Sequence, residues 1–157
     1  MITRLPLTRN RRPEIDAHGV VLGLVFDSAS QTYLIHSTTN DNLDTVAEII
    51  ARLRRLDVIP GDFHVSCIQM LLNATVHLHK DRNPTDSILV SLGSHTGGEI
   101  VVDETPFDMW HQPFRFDGSQ SHYVMPFQGT RWSLAIYLHR CHEFLPANEK
   151  WLSLIHI

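Results

Sequence analysis

The chain has 157 residues, 43% of them hydrophobic and 19% charged, and this length and composition predict one folded domain with a hydrophobic core. The formal net charge of −4 excludes a global basic field of the kind that drives non-specific nucleic-acid binding. Two cysteines exclude a disulfide framework, and without a membrane-spanning apolar run or an evident signal peptide we expect a soluble intracellular protein.

The first segment of the chain is basic. Residues 1–13 contain four arginines and no acidic residue, and we expect them to form a solvated tail ahead of a single domain over residues 14–157. A nucleic-acid contact and a short organelle presequence are the alternatives for this tail.

One helix and many short strands are predicted next. Strands are expected at 20–26 and 32–36, and apolar residues at helical spacing predict a helix over 43–56, which Asn40 or Asp41 can cap. The later strands are predicted at 64–80, 87–92, 98–103, 113–117, 121–125 and 131–138. This order predicts a mostly β jelly-roll barrel with the helix packed on one sheet.

The tripeptide from His79 to Asp81 is the strongest candidate for chemistry. In a strand, residues i and i+2 point to the same side, so His79 and Asp81 would enter one cavity together with Asn73 upstream. His122, on a later strand, can complete a set of two histidines and one carboxylate. That set is typical of non-haem Fe(II) sites with open coordination positions.

A second candidate lies where the strand at 131–138 begins. A turn at 126–130 predicts a hairpin that brings Arg131 and Ser133, which share a face, close to His122. The parallel N–H donors of an arginine match a carboxylate bidentately. Arg131 and Ser133 are therefore candidates for binding an anionic co-substrate.

Residues 63–139 resemble the double-stranded β-helix core of Fe(II)/2-oxoglutarate-dependent dioxygenases. The resemblance implies that His79, Asp81 and His122 bind Fe(II), and that Arg131, helped by Ser133, binds the distal carboxylate of 2-oxoglutarate. It also implies a polar co-substrate contact from Asn73, and residues 97–102 look like the Gly-Gly-Glu-Leu strand of these enzymes.

The resemblance carries an expected reaction. With Fe(II), 2-oxoglutarate and dioxygen, such an enzyme hydroxylates a C–H bond of a primary substrate that the sequence does not identify. The continuation Asp81-Arg82-Asn83 looks like the TET/JBP and AlkB branches, so the resemblance leans towards modified nucleic-acid bases as substrate.

Other functions stay open at this point. His77 shares the predicted face with His79, as a cupin-like metal protein would require, although no Glu occurs between His79 and Glu99 to complete a cupin set. We expect His77 to line the cavity, and a zinc site from His77, His79 and His122 is a further alternative. A non-catalytic β-helix binding domain and a shortened family member that lacks flanking elements are the remaining ones.

Overall fold

The computed structural model describes residues 5–10, 12–27 and 29–140. These residues form two antiparallel sheets and two helices, joined by turns and loops. The strands are β1 (Thr8–Arg9), β2 (Ile15–Asp27), β3 (Thr32–Ile35), β4 (Cys67–Val76), β5 (Ser87–Gly97), β6 (Ile100–Val102), β7 (Thr105–Phe107), β8 (Phe114–Phe116), β9 (His122–Val124) and β10 (Phe127–Tyr137). The helices are α1 (Ser37–Asn40) and α2 (Leu43–Arg55). The predicted mostly β architecture is confirmed.

The larger sheet has seven strands in the order β1-β2-β4-β10-β5-β8, with β3 paired to β2, and the smaller sheet has the order β7-β6-β9. Side chains from both sheets line one cavity, so the sheets form the two walls of a jelly roll. Strands far apart in sequence meet at its centre, because β10 pairs with both β4 and β5.

The outer face of the larger sheet is covered by α2. This helix begins after Asn42 and buries Val46, Ile49 and Ile50 against strand residues such as Ile68 and Met70. The predicted helix and its packing on one sheet are confirmed. The predicted cap is wrong, because Asn40 belongs to α1 and the N-cap is Asn42, whose amide instead donates to the Thr38 carbonyl at 2.8 Å.

The predicted hairpin at residues 126–130 is wrong. Phe127 to Thr130 are already part of β10, and β9 pairs with β6 in the smaller sheet. The chain therefore crosses from one sheet to the other between β9 and β10. Arg131 and His122 approach the same cavity from opposite walls.

The expected solvated tail is also corrected over its described residues. Leu5 is buried in the main hydrophobic core, and β1 pairs with β2, so this segment packs on the domain. Neither helix in the described residues has the length and apolar character needed to cross a bilayer.

Candidate metal centre

Two histidines from different parts of the chain are placed side by side by backbone hydrogen bonds. The His79 N–H donates to the His122 carbonyl at 3.0 Å, and the His122 N–H donates to the His79 carbonyl at 2.9 Å. In such an antiparallel pair the two side chains point to the same side of the sheet. The imidazole centroids consequently lie only 4.2 Å apart.

Each imidazole is oriented by a backbone carbonyl that lies within hydrogen-bond distance of its Nδ1 atom. The Nδ1 atom of His79 lies 2.7 Å from the His77 carbonyl, and that of His122 lies 2.8 Å from the Gln120 carbonyl. A carbonyl only accepts, so Nδ1 carries the proton in both rings and the lone pair is on Nε2. Burial lowers the pKa of His79, which favours the neutral, metal-binding form.

Asp81 completes the group from the loop after β4. Its N–H donates to the Gly118 carbonyl at 2.8 Å, and a Cβ at Gly118 would lie 3.2 Å from the Asp81 Cβ, so glycine allows this close approach. Oδ1 lies 3.8 Å from His79 Nε2, and Oδ2 lies 3.6 Å from His122 Nε2. Ligand atoms of the three residues are all within 4.8 Å of one another.

The carboxylate of Asp81 stays ionised despite its partial burial. Burial acts to raise its pKa, but the adjacent His122 imidazole and the charge and hydrogen bond of Arg12 outweigh burial and lower the pKa to about 2. The ionised form is the one that binds a metal.

Arg131 enters the same cavity from β10 and is fully buried. Its Nη2 donates to the Gly98 carbonyl at 3.3 Å and lies 3.9 Å from Met109 Sδ. Its Nε and Nη1 have no hydrogen-bond partner among the described residues. Burial lowers the pKa of Arg131 to about 10, so the guanidinium is still charged near neutral pH.

Gly98 makes room for this guanidinium. A Cβ at Gly98 would lie 2.8 Å from Arg131 Nε and 3.0 Å from its Cδ, and the φ of Gly98 is +83°, which other residues rarely adopt. Glycine at position 98 therefore lets the backbone pass directly over Arg131, whereas Gly97 lies against the Pro126 carbonyl.

The prediction that Asn73 shares the cavity face with His79 and Asp81 is wrong. Asn73 has a φ of +50°, and the side-chain alternation shifts there, so that Val76, and not Asn73, lines the cavity. Asn73 is exposed, and its Oδ1 accepts the backbone N–H of Arg131 at 2.8 Å. β4 ends at Val76, so His79 and Asp81 lie on the segment that follows it.

His77 also differs from its predicted position. It is exposed and does not line the cavity that holds His79; only its backbone carbonyl contacts that ring. A cupin-like or zinc site built on the His77 side chain is therefore unsupported. Ser133 is half-buried and lines the cavity two residues beyond Arg131, as predicted.

Comparison with known proteins identifies the architecture. No protein-family model matches the sequence, and no curated protein matches it. The solved structure of NgTET1 in complex with 5mC DNA matches at a TM-score of 0.58 and 14% identity over 88% of this chain and 66% of that chain, slightly less than two thirds. A 2OG-Fe(II) oxygenase family oxidoreductase from Burkholderia pseudomallei matches at 0.56 and 16% over 87% of this chain and 72% of that one.

A third solved structure, of OsALKBH1, matches at a TM-score of 0.51 and 12% identity over 88% of both chains. The chain has the double-stranded β-helix fold of the Fe(II)/2-oxoglutarate oxygenases. At these identities the similarity concerns the fold, and the function rests on the side chains of the site.

The side chains of this double-stranded β-helix fit the two groups that the fold implies. Two Nε2 lone pairs and an ionised carboxylate form a donor set suited to Fe(II), and they are the one such group of three in the described part of the chain. At the other end, the buried donors of Arg131 that lack a partner fit a carboxylate. The cavity between them has a volume of about 560 Å³, which can accommodate a small dicarboxylate.

One residue of the site was missed from the sequence. Arg12 Nη1 donates to Asp81 Oδ1 at 2.9 Å, although the two residues are far apart in sequence. The cluster of arginines before Glu14 was visible, but nothing in it indicates which arginine contacts Asp81. That contact depends on the register of β1 and β2, which places the intervening turn beside the loop after β4.

Proposed function

We propose that this protein is an Fe(II)/2-oxoglutarate-dependent dioxygenase that hydroxylates a C–H bond of its substrate. The observation that carries the proposal is the fully buried Arg131, with two donors that lack a partner, in the same cavity as His79, Asp81 and His122. A metal triad alone would suit many metalloproteins, whereas a triad facing a buried cation suits a metal-chelating acid with a second carboxylate.

In this proposal His79, Asp81 and His122 hold the iron, and three protein ligands leave coordination positions for 2-oxoglutarate and dioxygen. Arg131 pairs with the distal carboxylate of 2-oxoglutarate, and Ser133 donates its hydroxyl to the same group. Asn73 acts indirectly, because its side chain fixes the backbone N–H of Arg131. The bound iron would supply the oxidative chemistry.

The apolar wall of the cavity supports this role. Ile100, Met109 and Phe116 are buried, line the cavity, and pack into one cluster on the side of the smaller sheet. Such an apolar wall would limit the access of water to the space between the triad and Arg131, and charge pairing is stronger where water is excluded. An intracellular site of action, where iron is kept ferrous, would suit this reaction.

For the primary substrate, we propose a base of a nucleic acid. Lys80, Arg82 and Arg140 line the cavity but are exposed, so they lie at its opening, and they have no partner among the described residues. Cations without partners at the opening can contact phosphates while a base enters the cavity. The similar NgTET1 structure was solved with 5mC DNA.

The iron and 2-oxoglutarate proposal is tested by anaerobic absorption spectroscopy. Fe(II) and 2-oxoglutarate added together should produce a visible charge-transfer band in the wild type. Asp81→Ala should abolish the band, and Asp62→Ala, which removes an exposed carboxylate from a loop, should retain it. A wild type that binds no iron and shows no band would refute the proposal.

The substrate proposal is tested separately by fluorescence anisotropy with a labelled single-stranded oligonucleotide. Arg82→Glu should weaken binding by about tenfold or more, since it removes one phosphate contact and adds a repulsion. Arg55→Glu, an exposed arginine on α2, should change it much less. Equal effects of both variants would indicate non-specific attraction and contradict this substrate.

A further inference from the structure

Arg12 contacts the candidate metal ligand Asp81, although the proposed binding of iron and 2-oxoglutarate gives Arg12 no role. It lies on the turn between β1 and β2, and its Nη1 donates to Asp81 Oδ1 at 2.9 Å. Its Nε lies 3.6 Å from Glu14 Oε2, so the guanidinium bridges two carboxylates. One of those carboxylates belongs to the candidate metal triad.

The turn that carries Arg12 is itself held in place. The Arg12 N–H donates to Asn10 Oδ1 at 2.9 Å, and the Ile15 N–H donates to the Arg12 carbonyl at 3.1 Å. The His77 N–H donates to the Glu14 carbonyl at 2.9 Å, which ties the turn to the segment that carries His79 and Asp81. These hydrogen bonds fix the backbone of Arg12 and Glu14 relative to the segment that carries Asp81.

We propose that Arg12 is a positioning residue for the metal ligand Asp81, which rests on the proposed iron site. By holding Oδ1, it leaves Oδ2, which lies 3.6 Å from His122 Nε2, as the oxygen that binds the metal. A carboxylate held in this way supplies one ligand atom, and the remaining positions stay open for co-substrate and dioxygen. The N-terminal hairpin thereby becomes part of the metal centre.

Two effects of Arg12 on metal affinity oppose each other. Its positive charge repels a cation, whereas its hydrogen bond orients the ligand. Glu14 offsets the charge, and the Arg12 side chain is 41% exposed, so water screens the repulsion. Orientation should therefore dominate, and partners of metal ligands typically contribute about 10–100-fold in affinity.

The test is a titration with Mn(II), followed by the electron paramagnetic resonance signal of the free ion, which requires no turnover. Arg12→Met should weaken Mn(II) binding by about tenfold. Arg12→Lys should recover most of the affinity, because a lysine can still donate to Oδ1. Arg9→Met, an exposed arginine on β1, is the matched control and should bind like the wild type.

The outcomes distinguish failure of the proposed role of Arg12 from failure of the proposed metal site. A wild type that binds no Mn(II) would refute the metal site and the role of Arg12 together. A wild type that binds Mn(II), with Arg12→Met binding equally well, would refute the role of Arg12 alone. Equal losses in Arg12→Met and Arg9→Met, or no recovery in Arg12→Lys, would also overturn it.

Discussion

The two ends of the cavity differ in how completely the protein satisfies their polar atoms. At the metal end, both histidine Nδ1 atoms have a carbonyl partner and Asp81 Oδ1 has Arg12, which leaves the metal-facing atoms available. At the other end, two donors of the buried Arg131 have no partner among the described residues. The polar atoms of the metal end are preorganised by protein partners, whereas the Arg131 end keeps donors that, in our proposal, pair with an anion.

This difference has an energetic meaning. A buried group without a partner costs about 1–3 kcal/mol, and more if it is charged, so Arg131 destabilises the ligand-free protein. Its contacts with the Gly98 carbonyl and with the Phe127 ring, 5.5 Å from its guanidinium carbon, offset only part of that cost. A residue that is costly for the fold and faces a cavity is a strong candidate for ligand binding.

Substitution at the metal end should have the largest effect. His79→Ala should weaken Mn(II) binding by more than about 100-fold, the largest loss that is typical when only a hydrogen-bond partner of a metal ligand is removed. The binding of 2-oxoglutarate should fall as well, because 2-oxoglutarate would chelate the metal. The Mn(II) signal and calorimetry measure the two affinities. His77→Ala is the control and should bind both normally, since its side chain lies outside the cavity. A large loss of metal in His77→Ala would favour a cupin-like site.

The cost of the Arg131 end can be measured without any ligand. Arg131→Met should raise the free energy of unfolding by about 1–3 kcal/mol in urea titrations, because it removes a buried charge and keeps most of the volume. Arg115→Met, which alters an exposed arginine paired with Asp86, should change it by less than about 1 kcal/mol. A clear loss of stability in Arg131→Met would show that Arg131 is a structural residue.

Gly98 is expected to affect the Arg131 end alone. Gly98→Ala should lower the free energy of unfolding by about 1–2 kcal/mol, because of its positive φ and its contact with Arg131. Because the guanidinium is displaced, the affinity for 2-oxoglutarate should fall several-fold, while the affinity for Mn(II) stays unchanged. Gly61→Ala, which meets nothing within 4 Å, should leave both affinities intact. If Gly98→Ala lowers the affinity for Mn(II) as much as that for 2-oxoglutarate, the two ends of the cavity do not act independently.

The smallest effect is expected from Asn73→Ala. It removes the hydrogen bond to the Arg131 N–H and places alanine at a φ of +50°, which together should cost about 1 kcal/mol in unfolding free energy. The affinity for 2-oxoglutarate should fall only slightly. Thr75→Ala, at a neighbouring exposed position of β4, provides the comparison. A loss of co-substrate as large as that from Arg131 itself would indicate a direct contact.

The sequence predicted which residues meet in the cavity better than how the chain brings them there. That His79, Asp81, His122 and Arg131 line one cavity could be predicted from their residue types and order, and their chemical roles stay a proposal. The path between them could not be predicted, because the shift at Asn73 depends on pairing with β2 and β10, and a single shifted residue exchanges the two faces of a strand. The sequence likewise gave no indication that β9 and β10 belong to different sheets.

The central claim is that both ends of the cavity bind one molecule of 2-oxoglutarate. The most direct measurement is an anaerobic titration of 2-oxoglutarate at saturating Fe(II), with the wild type and Arg131→Met compared by absorption and calorimetry. We expect Arg131→Met to retain its affinity for iron and to weaken 2-oxoglutarate by at least about tenfold, as expected for loss of a buried charge-assisted pair. Equal affinity of the two proteins for 2-oxoglutarate would contradict the account.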